Sequence, residues 1–173
     1  MNPEKMTPYG LALRAYFDGQ TQAEVLIRRD DGVEAPLPMS HFFREEAEFT
    51  PIEAAALERC RGQVLDIGAG SGIHSLVLQS RGLSVTAIDV SPQAVAVMTA
   101  RGVRVAHHAD VFKYQGGPFD TLLLLGHGIG IVEDLEGLSH GHPREEWYRD
   151  RQESKRTPVP AGRRAYRNSL PHE

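Results

Sequence analysis

From residue 63 onward the sequence alternates short apolar runs with helix-patterned segments, and this alternation restricts the fold more than any other feature. Val64-Leu65-Asp66-Ile67 predicts a buried strand, and Ser71 to Arg81, ended by Gly82, predicts a helix with Ile73, Leu76, Val77 and Leu78 on its inner face. Leu83 to Ile88 is a second strand. Ser91-Pro92 supplies an N-cap and first-turn proline for a helix carrying Ala94, Val95, Val97 and Met98, which Gly102 terminates. Val103 to Ala106 predicts a third strand and Thr121 to Leu125 a fourth. Strands separated by helices or crossovers imply right-handed βαβ units, hence an α/β fold with a parallel sheet and helices on both faces.

The preceding residues read differently. Tyr9, Leu13, Tyr16 and Phe17 fall at helical intervals over residues 8–18, before Asp18-Gly19. Glu24 to Arg29 and Val33 to Leu37 flank Asp30-Asp31-Gly32, a hairpin signal, with Pro36 and Pro38 expected to limit pairing of the second arm. Ser40-His41-Phe42-Phe43 then leads to Thr50-Pro51-Ile52-Glu53, a capping-box start for a helix of about ten residues ending near Arg61-Gly62.

Charge and apolar content divide the chain after Leu138. Residues 1–138 hold 11 basic and 18 acidic residues, with 63 apolar, whereas residues 139–173 hold 8 and 5, with 7 apolar. An acidic body therefore precedes a basic tail too poor in apolar residues to bury a face of its own, expected to be disordered or a frayed helix around residues 144–156. Three units are expected: a helical and hairpin segment over 1–62, a nucleotide-binding core over 63–138, and the tail over 139–173. The single cysteine, Cys60, reads as a packed helix residue, and no Cys/His spacing suggests a metal site. With no signal pattern and no apolar run of membrane-spanning length, the expected location is the cytoplasm.

The chemistry is concentrated in Asp66-Ile67-Gly68-Ala69-Gly70-Ser71-Gly72, where the first strand runs into a helix. Glycines there permit a sharp turn and close ligand approach, and the new helix presents N–H groups, although such turns also serve purely structural ends. Asp89 ends the second strand, 21 residues after Gly68, where a carboxylate can accept from both ribose hydroxyls. Asp110, with Val111 and Phe112 beside it, suits an adenine edge and face. Ile73 stands where a dinucleotide fingerprint wants its last glycine, which favours a ligand without a pyrophosphate and counts against a nicotinamide-dependent oxidoreductase.

In order and spacing, VLDIGAGSG, VTAIDVSPQAV, HHADVF and FDTLLLLGHGIG resemble the successive motifs of the class I S-adenosylmethionine-dependent methyltransferases over about residues 63–138. The resemblance implies a Rossmann-like parallel sheet of order 3-2-1-4 for the strands present. It implies S-adenosylmethionine as cofactor, with Gly68, Gly70 and Gly72 around its methionine part and Asp66 bracing the loop. Asp89 would hold the ribose, Asp110 and Val111 the adenine, and Val90 and Gly126 complete the cofactor set. The N-terminal segment, with Tyr9, Phe42 and Phe43, would cover the cofactor and an acceptor pocket; plain packing at the sheet edge explains the same aromatics.

Methyl transfer to an acidic acceptor also needs a base, for which His127 is the candidate, with His107 and His108 behind it and no role for His74, expected to face the loop or solvent. Gly126-His127-Gly128-Ile129 replaces the motif of base-modifying relatives, leaving a small-molecule or, second, a protein acceptor and no nucleic acid. The family's fifth to seventh strands have no counterpart after a short helix expected over Val132 to Leu138, so the sequence reads as a shortened or frame-shifted relative, or one whose tail replaces them. Leu122-Leu123-Leu124-Leu125 would then be an open edge, suited to self-association. The alternative function is a non-catalytic cofactor-binding or interaction module pairing through that strand.

Overall fold

The structure, a computed structural model, describes residues 6–28 and 31–125. It opens with α1 (Thr7–Phe17) and an antiparallel hairpin of β1 (Glu24–Arg28) and β2 (Glu34–Pro38). Two 3-10 turns, Met39–Phe43 and Glu46–Glu48, lead to α2 (Pro51–Arg59). Thr50 caps α2 as expected: its hydroxyl accepts from the Glu53 N–H while the Glu53 carboxylate accepts from the Thr50 N–H. Pro36 and Pro38 do not shorten the hairpin, which pairs from Glu24 with Pro38 to Arg28 with Glu34. Backbone groups alternate sides along a strand. The Met39 N–H donates to the Ala23 carbonyl, so the odd-numbered positions face β1 and both prolines point their missing donors outward.

The core comprises β3 (Gln63–Ile67), α3 (Ile73–Ser80), β4 (Ser84–Asp89), α4 (Pro92–Ala100), β5 (Ala106–His108) and β6 (Thr121–Leu123). All strand pairs are parallel and the order is β5-β4-β3-β6, the 3-2-1-4 order anticipated for four strands. On one face Val64, Val85 and Leu123 pack under Leu57 of α2 and Leu78 of α3, while Ala87 packs with Met98 of α4. On the other face Leu65, Ile67 and Ile88 are covered by Phe119, with Val111 and Tyr114 alongside. Right-handed crossovers explain the division. The chain steps outward from β3 to β4 to β5, which puts α3 and α4 on one face, then reverses across the sheet to β6, which puts residues 109–120 on the other. Among the described residues that second face is therefore covered by an irregular crossover, where helices on both faces were expected.

Several boundaries differ from expectation: the fourth strand ends at Leu123 and not Leu125, and the helix begun at Pro51 ends at Arg59. The third strand lies at Ala106–His108, three residues later than predicted. Val103 is instead buried against Ala69 and Met98, and its N–H closes the end of α4 on the Met98 carbonyl, so Val103 is a helix-terminating plug, while the Val105 carbonyl already accepts from the Ala87 N–H of β4. Gly72 has a left-handed backbone (φ 78°), so α3 starts at Ile73 and the glycine loop is longer than read. At the N-terminal side, Leu13 of α1, Met39 and Ala94 of α4 form a separate small core that seats the N-terminal segment on α4.

Candidate active site

The ends of β3, β4 and β5 bring together most of the expected residues, at the carboxyl edge of the parallel sheet where ligands bind in such folds. The loop after β3 is tied directly to β4: the Gly68 and Ala69 N–H groups both donate to the Ile88 carbonyl, at 2.9 and 3.1 Å. Asp89, the last residue of β4, is buried and receives the Gly70 N–H at 2.9 Å and the Ser91 N–H at 2.8 Å. Burial pushes its carboxyl above the ordinary range, and those two donors hold it back. Asp66 is buried lower in the same strand layer and accepts from the Ser75 hydroxyl at 2.6 Å. Burial likewise raises its pKa, with Ser75 opposing. Asp66 thus joins β3 to α3 behind the loop.

The three glycines have different reasons for being glycine. A Cβ on Gly70 would come 2.8 Å from the Tyr9 hydroxyl, so α1 places a phenol directly over the loop. A Cβ on Gly72 would come 2.7 Å from a Val103 methyl and 2.9 Å from the Met98 Cβ. Gly72 therefore faces the α4 packing layer, and steric need at that position comes from the core. Gly68 is exposed at the strand end. Tyr9 packs edge-on against Phe42 at 5.1 Å, and burial together with the Asp89 charge raises its pKa. No hydrogen-bond partner meets its hydroxyl among the described residues. Asp110 lies two residues past β5, where its side chain accepts from the Phe112 N–H, and Val111 joins the Phe119 cluster. His107 and His108 are strand residues of β5, and His108 Nε2 is 2.9 Å from the Val90 carbonyl. Gly126, His127, the expected helix over Val132 to Leu138 and the tail lie outside the described residues.

His74 is a correction: it does not face solvent. It is packed edge-on to Phe49 at 5.1 Å with Nε2 3.0 Å from Glu53 Oε1, and the Arg44 guanidinium donates to the same oxygen at 2.9 Å. Burial pushes the Glu53 carboxyl up, but donors from Thr50, His74 and Arg44 outweigh it and bring it down to about 2. The cluster fastens the 3-10 segment to α2 and α3. The sequence carried only its local part, the Thr50–Glu53 box.

Residues 64–139 match the family model for a methyltransferase domain. A methyltransferase from Bacteroides fragilis, solved in complex with S-adenosyl-L-homocysteine, superposes with a TM-score of 0.76 at 34% identity, covering 82% of this chain and 60% of that one. Residues 64–139 form a methyltransferase domain with the Rossmann-like fold of that structure. Two curated relatives are ubiquinone biosynthesis O-methyltransferases. That of Xanthomonas euvesicatoria is 34% identical over 100 residues, 53% of this chain and 40% of the relative. That of Methylobacterium nodulans is 29% identical over 100 residues, 58% and 36%. The chain thus spans well under half the length of either. Among the described residues, no helix of the methyltransferase domain is long and apolar enough to cross a membrane, and no cluster of three His, Cys, Asp or Glu side chains could hold a metal ion.

Proposed function

We propose that this chain transfers a methyl group from S-adenosylmethionine to a hydroxyl of a small-molecule acceptor, in the cytoplasm. The observation that carries the reading is the buried Asp89 carboxylate at the end of β4, held beside the glycine loop by two backbone N–H groups with lone pairs to spare. A carboxylate so fixed is matched to a vicinal pair of ribose hydroxyls, which fits a nucleoside cofactor. The unpartnered Tyr9 hydroxyl over Gly70 is a donor suited to the cofactor's carboxylate, and the exposed Gly68 leaves the main chain open to its methionine part. Val90, Asp110 and Val111 stand where the adenine would lie. In this reading Gly72 serves the loop through packing.

When bound, the cofactor supplies an electrophilic methyl on a sulfonium. The protein's own contribution is to align donor and acceptor and to exclude water. The aromatic lid of Tyr9, Phe42 and Phe43 does the excluding, and His127 is proposed to take the hydroxyl proton. The O-methyltransferase relatives support an oxygen acceptor; the −4 net charge of the chain does not favour nucleic acid.

Titration calorimetry of the full chain with S-adenosylhomocysteine, S-adenosylmethionine and NAD tests the binding half. Heat with the first two and none with NAD is expected; no heat with the first two refutes the proposal. Turnover of a panel of phenols and catechols, abolished by His127→Ala, tests the second half. Binding without turnover of any acceptor refutes the catalytic reading.

A further inference from the structure

Besides the Tyr9 contact over Gly70, Arg101 and Ser71 also join the lid to the cofactor loop, and none of the chemistry above uses either. Ser71 is 1% exposed in the middle of the glycine loop. Its hydroxyl donates to the Phe42 carbonyl in the lid. Its carbonyl accepts from the Arg101 guanidinium at 2.8 Å, reaching across from the end of α4. The same guanidinium lies over the Phe43 ring, 4.8 Å from its centroid, and Phe43 in turn stacks on Tyr16 of α1 at 4.7 Å. Arg101 is half-buried, and no carboxylate pairs with it among the described residues. Partial burial lowers its pKa without removing its charge. An unpaired cation taken partly out of water is a cost, offset here only by the Ser71 carbonyl and the Phe43 face. Both partners belong to the interface between lid and loop.

We infer that Arg101 is a positioning residue that latches the lid to the glycine loop through Ser71, so that cofactor binding at the loop and ordering of the lid are one coupled equilibrium. This inference rests on the cofactor reading above. A ligand that fixes the loop then tightens the lid, and by linkage a looser lid weakens the ligand. The lid is thereby set in place before an acceptor arrives.

Hydrogen exchange of the full chain, with and without S-adenosylhomocysteine, separates this from a general structural role. In the natural sequence the ligand should slow exchange at residues 68–72 and residues 39–49 together. In Arg101→Met the response at 68–72 should persist, the response at 39–49 should vanish, and the ligand's Kd should rise roughly three- to tenfold, the size of one cation–π contact. Exchange in β3 and β4 should stay unchanged, and Arg101→Lys should restore part of the lid response. Should Arg101→Met not fold, Phe43→Leu removes the same contact from the lid side. Undiminished ligand protection of 39–49 in these variants overturns the latch, as does loss of protection in β3 and β4 together with the lid. Failure of the natural sequence to bind S-adenosylhomocysteine overturns the cofactor reading instead. The latch is then judged in ligand-free protein: faster lid exchange in Arg101→Met supports it, and unchanged exchange overturns it.

Discussion

Gly72→Ala tests whether the third glycine of the loop is required by the core or by the cofactor. Two costs arise. The left-handed backbone at φ 78° disfavours any L side chain, by about 1–2 kcal/mol. The new methyl would also meet Val103 at 2.7 Å and Met98 at 2.9 Å, atoms of a buried layer, and overpacking of this kind costs about 1–3 kcal/mol. Together they predict a loss of about 2–5 kcal/mol, a large share of the roughly 5–15 kcal/mol that stabilises a typical domain. Gly82→Ala is the internal control, because Gly82 has φ 84° and nothing within 4 Å of a Cβ, so it carries the backbone cost alone. Urea unfolding of the three proteins should place Gly82→Ala about 1–2 kcal/mol below the natural sequence and Gly72→Ala a further ~1–3 kcal/mol lower. Equal losses would refute the packing argument. A folded Gly72→Ala with natural affinity for S-adenosylhomocysteine would complete it; normal stability with lost affinity would assign the glycine to the ligand after all.

Other expectations follow from the same geometry. Asp89→Ala should weaken S-adenosylhomocysteine binding by about 1–3 kcal/mol in calorimetry, and unchanged affinity would remove Asp89 from the ribose site. Tyr9→Phe deletes a hydroxyl that no described residue satisfies, so the ligand-free protein should keep or gain stability while ligand affinity falls; a destabilised ligand-free variant with normal affinity would contradict this. For Glu53 the folded pKa, about 2, lies below the ordinary 4.5, so its contribution is complete above pH 4.5 and is lost as pH falls toward 2. Melting temperatures measured between pH 6 and pH 2.5 should therefore fall less steeply in Glu53→Gln than in the natural sequence, and parallel curves would refute the assignment. Asp66 and Asp89 act with the opposite sign, since their raised pKa values favour the folded state most on the acid side.

Short-range features were legible in the sequence because their physics is local. Thr50-Pro51 with Glu53, and Ser91-Pro92, fix helix starts within one turn of chain, and both appear where the residues put them. The strand order came from the family resemblance, and it agrees with the alternation of β3, β4, β5 and β6 and the handedness of crossovers. The displaced β5 shows the limit of periodicity. Val103-Arg104-Val105 has the alternation of a strand, yet Val103 closes a helix and Val105 is 42% exposed. An apolar residue that plugs a helix end and one that enters a sheet look alike in one dimension. The rest of the site depends on distant meetings: Tyr9 with Gly70, Glu53 with His74, Arg101 with Phe43. No spacing rule links such pairs, because the parallel sheet and the seat of α1 on α4 bring them together.

The outward prolines of β2 bear on solubility. A two-stranded hairpin standing beside the main sheet offers its outer rim to any extended chain, and Leu26 and Ile27 of β1, 60% and 40% exposed, would make such an encounter adhesive. Strand addition, however, needs donors along the rim. Of the three outward positions on β2, only Glu34 retains an N–H, since Pro36 and Pro38 have none. The β2 rim thus fails as a template for intermolecular β-structure despite the exposed apolar side chains nearby, so replacing both prolines by threonine should open that rim to aggregation.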